Sequence, residues 1–260
     1  MSRDRKALPA PARARAREVR SALRALADPE RARNSAWFFK TGRGQYGAGD
    51  RFRGIRVPEQ RRIARQFRAL PLAEAALLLA SPYHEDRFTA LEILVAQYDA
   101  GDATARERIF RFYLAHTRRI NNWDLVDTSA RYIVGAHLRQ RSRRLIYRLA
   151  RSHNLWERRI AMVSTHAWIQ DGDTADAYAI AKLLLDDEHD LIHKAVGWSL
   201  RQCGDRSREA LLRFLQGHYA RLPRTALRYA IEHLPQVQRK AILSGHVSVR
   251  QPQHDGQESQ

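Results

Sequence analysis

The 260-residue sequence is poor in cysteine and lysine, and it has no long apolar run. Its single cysteine, Cys203, cannot form a disulfide within the chain and leaves no cysteine cluster to hold a metal, which fits a reducing cytoplasm. No segment approaches the roughly 18 apolar residues of a membrane span. The basic N-terminus also lacks the apolar core of a secretory signal. We therefore expect a cytoplasmic protein without a metal, a cofactor or a membrane partner.

Lysine is scarce although basic residues are abundant. Lys and Arg together number 46 against 28 Asp and Glu, so the net charge is +18. The preference for arginine can reflect the nucleotide composition of the gene, but the excess of cations over acids cannot. A charge of this sign and size favours a polyanionic partner, and nucleic acid first.

Strand-like alternation of apolar and polar residues never persists, so the sequence predicts an all-α protein. Apolar residues recur at helical spacing in segments separated by short joints that carry Gly, Pro, Asp or Ser. The predicted helices span 19–27, 34–40, 58–67, 72–80, 84–98, 103–115, 121–137, 139–151, 155–170, 174–186, 189–203, 206–219 and 223–234.

A glycine-rich loop at 41–57 separates the second and third of these helices. Gly42, Gly44 and Gly47 formally match GxGxxG. We reject a dinucleotide site because no predicted strand precedes the loop and no helix follows it directly. The Gly-Lys-Ser/Thr sequence of a phosphate-binding loop is missing as well.

The helices repeat with a period of about 35 residues, since RFTALEIL, WDLVDTSA, RRIAMVST, HKAVGWSL and RYAIEHLP align with one another. Two helices per repeat at this period are typical of an α-solenoid. We therefore predict a superhelix of HEAT-like repeats over 16–243, with a concave basic cleft. Residues 1–15 are predicted to be a disordered basic arm, and 244–260 a disordered tail. The apolar anchors of the repeats are Ala90, Val126, Ala161, Val196 and Ile231.

The segment RRINNWDLVDTSA is the most informative in the chain. Trp123 and Asp127 are four residues apart, so a helix places them on one face. In the repeat alignment Arg159 and Trp198 also point away from the anchors, toward the predicted concave surface. An acid and two tryptophans in a basic surrounding favour an active centre. Packing is the alternative for each, because tryptophan is usually partly buried and Asp127 can simply pair with Arg131.

The sequence resembles the AlkD family of bacterial DNA alkylation repair glycosylases over about 27–241. The segments that carry the resemblance are FFKTGRGQYGAGDRFRGIRVP, INNWDLVDTSA, LWERRIAM, HKAVGWSLR and LPRTALRYAIEHLP. The resemblance implies a fold of HEAT-like repeats. It also implies a catalytic aspartate at Asp127, cleft tryptophans at Trp123 and Trp198, and a cleft arginine at Arg159 that holds a backbone phosphate near the lesion. All four family residues are present.

The resemblance further implies the substrate, which is duplex DNA with purines alkylated at N3 or N7, excised without a base-flipping pocket. No lysine stands out as a Schiff-base nucleophile, so we expect a monofunctional glycosylase without lyase activity. We also expect a nucleoid-associated monomer. Further phosphate contacts are predicted, from position and charge, at Arg158, Lys194, Arg201 and Arg228.

Two alternatives remain open from the residues alone. One is a non-catalytic HEAT-like module that binds damaged or branched DNA by charge and shape, and the other is a scaffold for an acidic protein. The presence of Asp127 favours the enzyme, since a pure DNA binder gains nothing from a carboxylate that repels phosphate. Affinity for DNA should fall steeply with salt, which separates both DNA-binding hypotheses from the scaffold.

Overall fold

The computed structural model describes residues 15–247, and every regular element within that range is helical apart from one isolated bridge between Arg51 and Tyr83. The all-α class and the helical repeat are therefore confirmed. The predicted arm and tail lie outside the described residues except for Arg15 and 244–247. None of the described helices combines the length and the apolar character needed to cross a membrane.

The chain forms two compact units, Met1–Leu125 and Val126–Gln260. We call them the first and the second unit. The helices of the first unit are α1 (Ala16–Arg24), α2 (Pro29–Phe38), α3 (Val57–Gln66), α4 (Leu72–Leu79), α5 (His84–Ala100) and α6 (Ala103–Ala115). A 3-10 turn, Thr117–Arg119, then leads into the short helix α7 (Trp123–Asp127), in which one unit ends and the other begins.

Local chemistry explains where several of these helices begin. The carboxylate of Asp28 accepts hydrogen bonds from the backbone nitrogens of Glu30 and Arg31, and Pro29 takes the first helical position of α2. Asp102 caps α6 in the same way through Ala105 N. The predicted helix 34–40 therefore begins earlier than expected, at Pro29.

Helix α5 is central to the first unit, because it packs against α1, α3, α4 and α6. Its middle is apolar and buried, as the period predicts, but its first turn is polar and buried too. The side chain of Glu85 accepts hydrogen bonds from the backbone nitrogens of Arg53 and Gly54, both at 2.8 Å. Gly54 has a φ of +76°, and a Cβ there would lie 2.3 Å from the carbonyl oxygen of Asp28. The first turn of α5 thus fixes the end of the glycine-rich loop against α2.

The second unit contains a π-helical segment, Arg131–Gly135, and a 3-10 turn, Tyr219–Arg221. Its α-helices are α8 (Ala136–Leu138), α9 (Arg144–Ala150), α10 (Leu155–Ser164), α11 (His166–Ile169), α12 (Ala175–Leu183), α13 (Asp190–Arg206), α14 (Arg208–His218), α15 (Arg224–Ala230) and α16 (Gln236–Leu243). Helix α13 packs against α10, α12, α14 and α15. Gly197 permits the close approach of α15, since a Cβ there would lie 2.5 Å from the carbonyl oxygen of Ala226.

The single helix predicted at 121–137 is wrong. Helix α7 ends at Asp127, and the backbone continues through a turn into the π-helical segment. The carbonyl of Gly135, the last residue of that segment, accepts a hydrogen bond from the Trp168 indole at 2.8 Å, so a side chain of another helix holds the segment in place. A Cβ on Gly135 would also meet the carbonyl oxygen of Ser164 at 2.2 Å, which shows how closely the two segments pack.

The repeat anchors are buried in the structure. None is more than 1% exposed, as the repeat alignment requires; they are Ala90, Val126, Ala161, Val196 and Ile231.

Candidate active site

Asp127, at the end of α7, forms a two-point ion pair with Arg159 on α10. The carboxylate accepts Arg159 Nε at 2.9 Å and Nη2 at 2.7 Å, which is the parallel geometry that a guanidinium and a carboxylate prefer. The Asp127 side chain remains 19% exposed, whereas that of Arg159 is only 5% exposed. A fixed carboxylate therefore reaches solvent while its partner lies beneath the surface.

Arg159 makes a third contact inside the second unit. Its Nη1 donates to the carbonyl oxygen of Leu191 in the first turn of α13. Three of its N–H groups are therefore used to hold the guanidinium in place and to orient Asp127. The phosphate contact expected from the sequence stays a prediction, and the geometry adds an orienting role.

The backbone after Asp127 is irregular in a way that bears on the site. The π-helical segment begins at Arg131, one turn beyond the acid, and single turns of π-helix are frequent at functional sites. The Arg131 guanidinium lies over the Tyr132 ring, 4.5 Å from the centroid.

Trp198, on α13, rests edge-on against the buried His166, with ring centroids 4.3 Å apart and planes at 86°. His166 Nε2 lies 2.6 Å from the hydroxyl oxygen of Ser199, which itself donates to the carbonyl of Ala195. His166 Nε2 is therefore the donor, and Nδ1 has no hydrogen-bond partner within 15–247.

The charge environment of His166 agrees with a neutral ring. Burial, together with the positive charges of Arg131, Arg159 and Arg201, lowers its pKa to about 3. The same arginine that holds Asp127 thus helps to keep the histidine behind Trp198 uncharged.

Trp123, at the start of α7, belongs to the first unit and is partly buried there. Its indole stacks on Phe39 at 5.3 Å with an interplanar angle of 17°, and Phe39 stacks in turn on Phe52 at 5.0 Å and 20°. We call Trp123, Phe39 and Phe52 the aromatic stack. The outer ring Phe38, which is 55% exposed, meets Trp123 edge-on at 6.1 Å. The position of Trp123 is therefore set by the segments that surround the glycine-rich loop.

Three of the four residues predicted to contact phosphate form ion pairs with acids of the second unit. Arg158 Nε lies 2.6 Å from Asp187, and Lys194 Nζ lies 2.8 Å from Asp190 one turn earlier. Arg201 pairs with Glu232. Arg228 is exposed and makes no ion pair with the described residues, so it is the most accessible of the four.

Sequence reasoning missed two histidines that support the proposed site. His84 lies beneath the aromatic stack and His166 lies behind Trp198, and both are less than 4% exposed. His84 opens HEDR, a run of polar residues that is fully buried at the start of α5. A run of polar residues directly before a long apolar helix was the available signal for a buried polar site. Hydrophobic periodicity alone assigns such a run to an exposed first turn. His166 had no comparable signal.

Comparison with known proteins places the chain within one family. Residues 19–234 match the family described as DNA alkylation repair enzyme. A search of curated proteins finds no significant match. Among solved structures, a protein described as a predicted DNA alkylation repair enzyme from Enterococcus faecalis is similar, with a TM-score of 0.62 and 17% identity. The similarity covers 81% of this chain and 97% of that one, and at this identity it bears on the fold alone. Because the family match spans most of the sequence, the chain belongs to the DNA alkylation repair enzyme family.

Proposed function

We propose that the protein is a monofunctional DNA glycosylase that hydrolyses the N-glycosidic bond of purines alkylated at N3 or N7 in duplex DNA. The observation that carries the proposal is the partly exposed Asp127 carboxylate, fixed at two points by the buried Arg159. Membership of the DNA alkylation repair family and a net charge of +18 support a DNA substrate.

The chemistry needs a fixed negative charge more than it needs a strong acid. Alkylation at N3 or N7 places a positive charge on the base, so the base leaves as a neutral group when it keeps the electron pair of the C1′–N bond. Positive charge then develops on the sugar. Asp127 would stabilise that charge and orient a water whose oxygen bonds to C1′, while the water proton passes to the carboxylate or to solvent. The products are a free alkylated base and an abasic site.

Arg159 supports this role through geometry. A carboxylate held by two parallel hydrogen bonds cannot rotate away, so it needs little reorganisation as the sugar charge develops. Substitution of Arg159 would therefore reduce excision even without any direct contact with DNA.

The two tryptophans suit a cationic substrate. An indole face attracts a positive charge, so Trp123 and Trp198 would contact the alkylated nucleotide and its deoxyribose. Most glycosylases extrude the base into a closed pocket. We propose instead that the lesion remains in the duplex, with phosphates contacted by basic residues of the second unit: Arg158, Lys194, Arg201 and Arg228.

The deciding experiment measures release of base from a duplex with a single N7-methylguanine. We expect wild-type protein to release the base, and Asp127→Asn to slow single-turnover release by at least about 100-fold, the usual effect of removing one such electrostatic group. Duplex affinity should be equal or tighter, because the substitution deletes a negative charge.

Asp176→Asn is the matched control. Asp176 lies in the same unit, pairs with Arg143 at 2.7 Å, and its side chain is 18% exposed, so it matches Asp127 in the type of its partner and in its exposure. We expect this control to release base at the wild-type rate. Equal loss in both variants, or none in Asp127→Asn, contradicts the catalytic assignment.

One observation favours the non-catalytic alternative. Arg159 neutralises Asp127, so the acid would not repel DNA phosphate as strongly as an unpaired carboxylate. The same experiment separates the two hypotheses. A wild-type protein that binds alkylated duplexes with steep salt dependence but releases no base is a damage-binding module.

A further inference from the structure

His84 lies directly beneath the aromatic stack of the first unit. Its ring centroid is 4.8 Å from Phe52 at an interplanar angle of 20°, and 4.8 Å from Phe39 at 37°. The His84 side chain is 3% exposed. Phe52 and Phe39 therefore both pack on the His84 ring, and Phe39 stacks in turn on Trp123.

Both ring nitrogens of His84 face carboxylates. Nε2 lies 2.8 Å from Asp124 Oδ2, and Nδ1 lies 3.3 Å from Asp50 Oδ2. An ionised carboxylate only accepts hydrogen bonds, so both nitrogens must donate and the ring is an imidazolium. Burial alone would lower the pKa of His84, but the charge and hydrogen bond of Asp124 and the hydrogen bond of Asp50 raise it to about 9. Arg87, 2.7 Å from Asp50, is the cation that opposes this protonation.

The same group holds the backbone on either side of Trp123. Asp124, the residue after it, is bound by His84. Asn122, the residue before it, is fully buried and donates to Asp50 Oδ2 at 3.2 Å, while its side-chain oxygen accepts the Trp123 backbone N–H at 2.9 Å. Trp123 is thus constrained through its ring, by Phe39, and through both of its chain neighbours.

We propose that His84 is a positioning residue for Trp123, because one buried ring joins Asp124, Asp50 and the aromatic stack, and so fixes the indole for contact with alkylated DNA. This inference rests on the proposed function, since the orientation of Trp123 affects excision only if the indole meets the substrate. The advantage is preorganisation: a held aromatic side chain loses less freedom on binding than a mobile one.

The test uses full-length protein labelled with 5-fluorotryptophan, in which the ¹⁹F resonance of Trp123 is assigned by its loss in Trp123→Phe. In His84→Gln we expect the Trp123 resonance to shift and broaden, while those of Trp168 and Trp198 stay in place. Single-turnover excision of N7-methylguanine should fall by about tenfold, since small misplacements of positioning groups carry such costs. Duplex affinity should change by less than about threefold, because no phosphate contact is removed.

Glu85→Gln is the control for loss of stability alone. Glu85 is the next residue of α5 and is equally buried, but it binds the backbone of the glycine-rich loop rather than the neighbours of Trp123. We expect its Trp123 resonance to match the wild type. If His84→Gln does not fold, Asp124→Asn replaces it, since that change cuts one of the two carboxylate contacts.

Two outcomes overturn the proposal: an unmoved Trp123 resonance in His84→Gln, or an equal shift in Glu85→Gln. The resonance is read without DNA, so it tests the positioning even where wild type releases no base. If wild type releases no base, the proposed function is refuted. The ¹⁹F spectra alone then decide whether His84 positions Trp123.

Discussion

Each of the two tryptophans proposed to meet DNA is supported by a buried histidine, Trp198 directly and Trp123 through Phe39, but the two histidines differ in charge. In the first unit, His84 has a carboxylate at each ring nitrogen and is positively charged. In the second unit, His166 has a hydroxyl at one nitrogen and the charges of three arginines around it, and is neutral. Burial lowers the pKa of both rings, so the neighbouring charges account for the difference between them.

The difference in charge also predicts that the two histidines contribute unequally to the stability of the fold. His84 and Arg87 together balance Asp50 and Asp124, two acids with little access to water, so loss of His84 leaves one negative charge uncompensated there. His166 contributes one hydrogen bond and retains an unpartnered nitrogen. The support of Trp123 is thus electrostatic, and that of Trp198 is mostly packing.

The largest expected effect comes from replacing each histidine with leucine. His84→Leu should lower the free energy of unfolding by about 3–5 kcal/mol, the usual cost of breaking a buried ion pair from one side. His166→Leu should change it by less than about 1 kcal/mol, because Ser199 keeps its bond to Ala195 and an unpaired polar atom disappears. Urea unfolding at pH 7 measures both, and equal losses would remove the contrast.

A smaller effect on the free energy of unfolding is expected from pH. A rise in pH should weaken the contribution of His84, and a fall in pH should weaken that of His166. The pKa of His84 is about 9 against an ordinary value of 6.5, so its stabilisation is complete below pH 6.5 and is lost as pH rises through 9. This gap corresponds to about 3 kcal/mol. The pKa of His166 is about 3, so its neutral form stabilises the fold above pH 6.5, and that stabilisation is lost as pH falls toward 3.

Urea unfolding across pH 4–10 checks these signs when wild type is compared with His84→Gln and His166→Gln. The difference curve for His84→Gln should shrink on the alkaline side, and that for His166→Gln should change only on the acid side. Titration of acids that contact neither histidine cancels in these differences. A difference curve for His84→Gln that is flat between pH 6.5 and 9 would argue against a buried imidazolium.

The smallest effect concerns Ser199 alone. Ser199→Ala leaves the Nε2–H of His166 without an acceptor, which should cost about 1–2 kcal/mol of unfolding free energy. In the double variant Ser199→Ala, His166→Leu the donor is also gone, so most of that loss should be recovered. A double-mutant cycle by urea unfolding measures this coupling. Additive losses would show that the contact contributes nothing to the fold.

The repeat and the helices followed directly from local pattern. Apolar residues at helical spacing, with turn residues between them, predicted most helices to within a few residues, and the anchors Val126 and Val196 are buried as the alignment requires. The break after Asp127 was missed because the turn and the π-helical segment that follow it leave no mark in the hydrophobic pattern, and the Trp168 indole that binds Gly135 in that segment comes from another helix. Periodicity within one segment holds no information about such a partner.

The candidate site was predicted in part. Spacing and family resemblance selected Asp127 and Arg159, and the structure brings them together in a two-point ion pair. The resemblance gives Arg159 a phosphate to hold, which stays a prediction, and the geometry adds a carboxylate to orient. The orienting role depends on the burial of Arg159, which is hard to foresee because the residue type is usually exposed.

The amino-acid sequence by itself determined the helical class, the helical repeat and the positive charge, because each depends on residue type and on spacing along the chain. Only the tertiary structure decided which of two buried histidines is charged. That choice depends on acids and arginines tens of residues away in the chain, such as Asp50 and Asp124 for His84 and Arg201 for His166. Electrostatic interactions act over distances of a few ångströms in space, so folding must bring those charges together before a protonation state is defined.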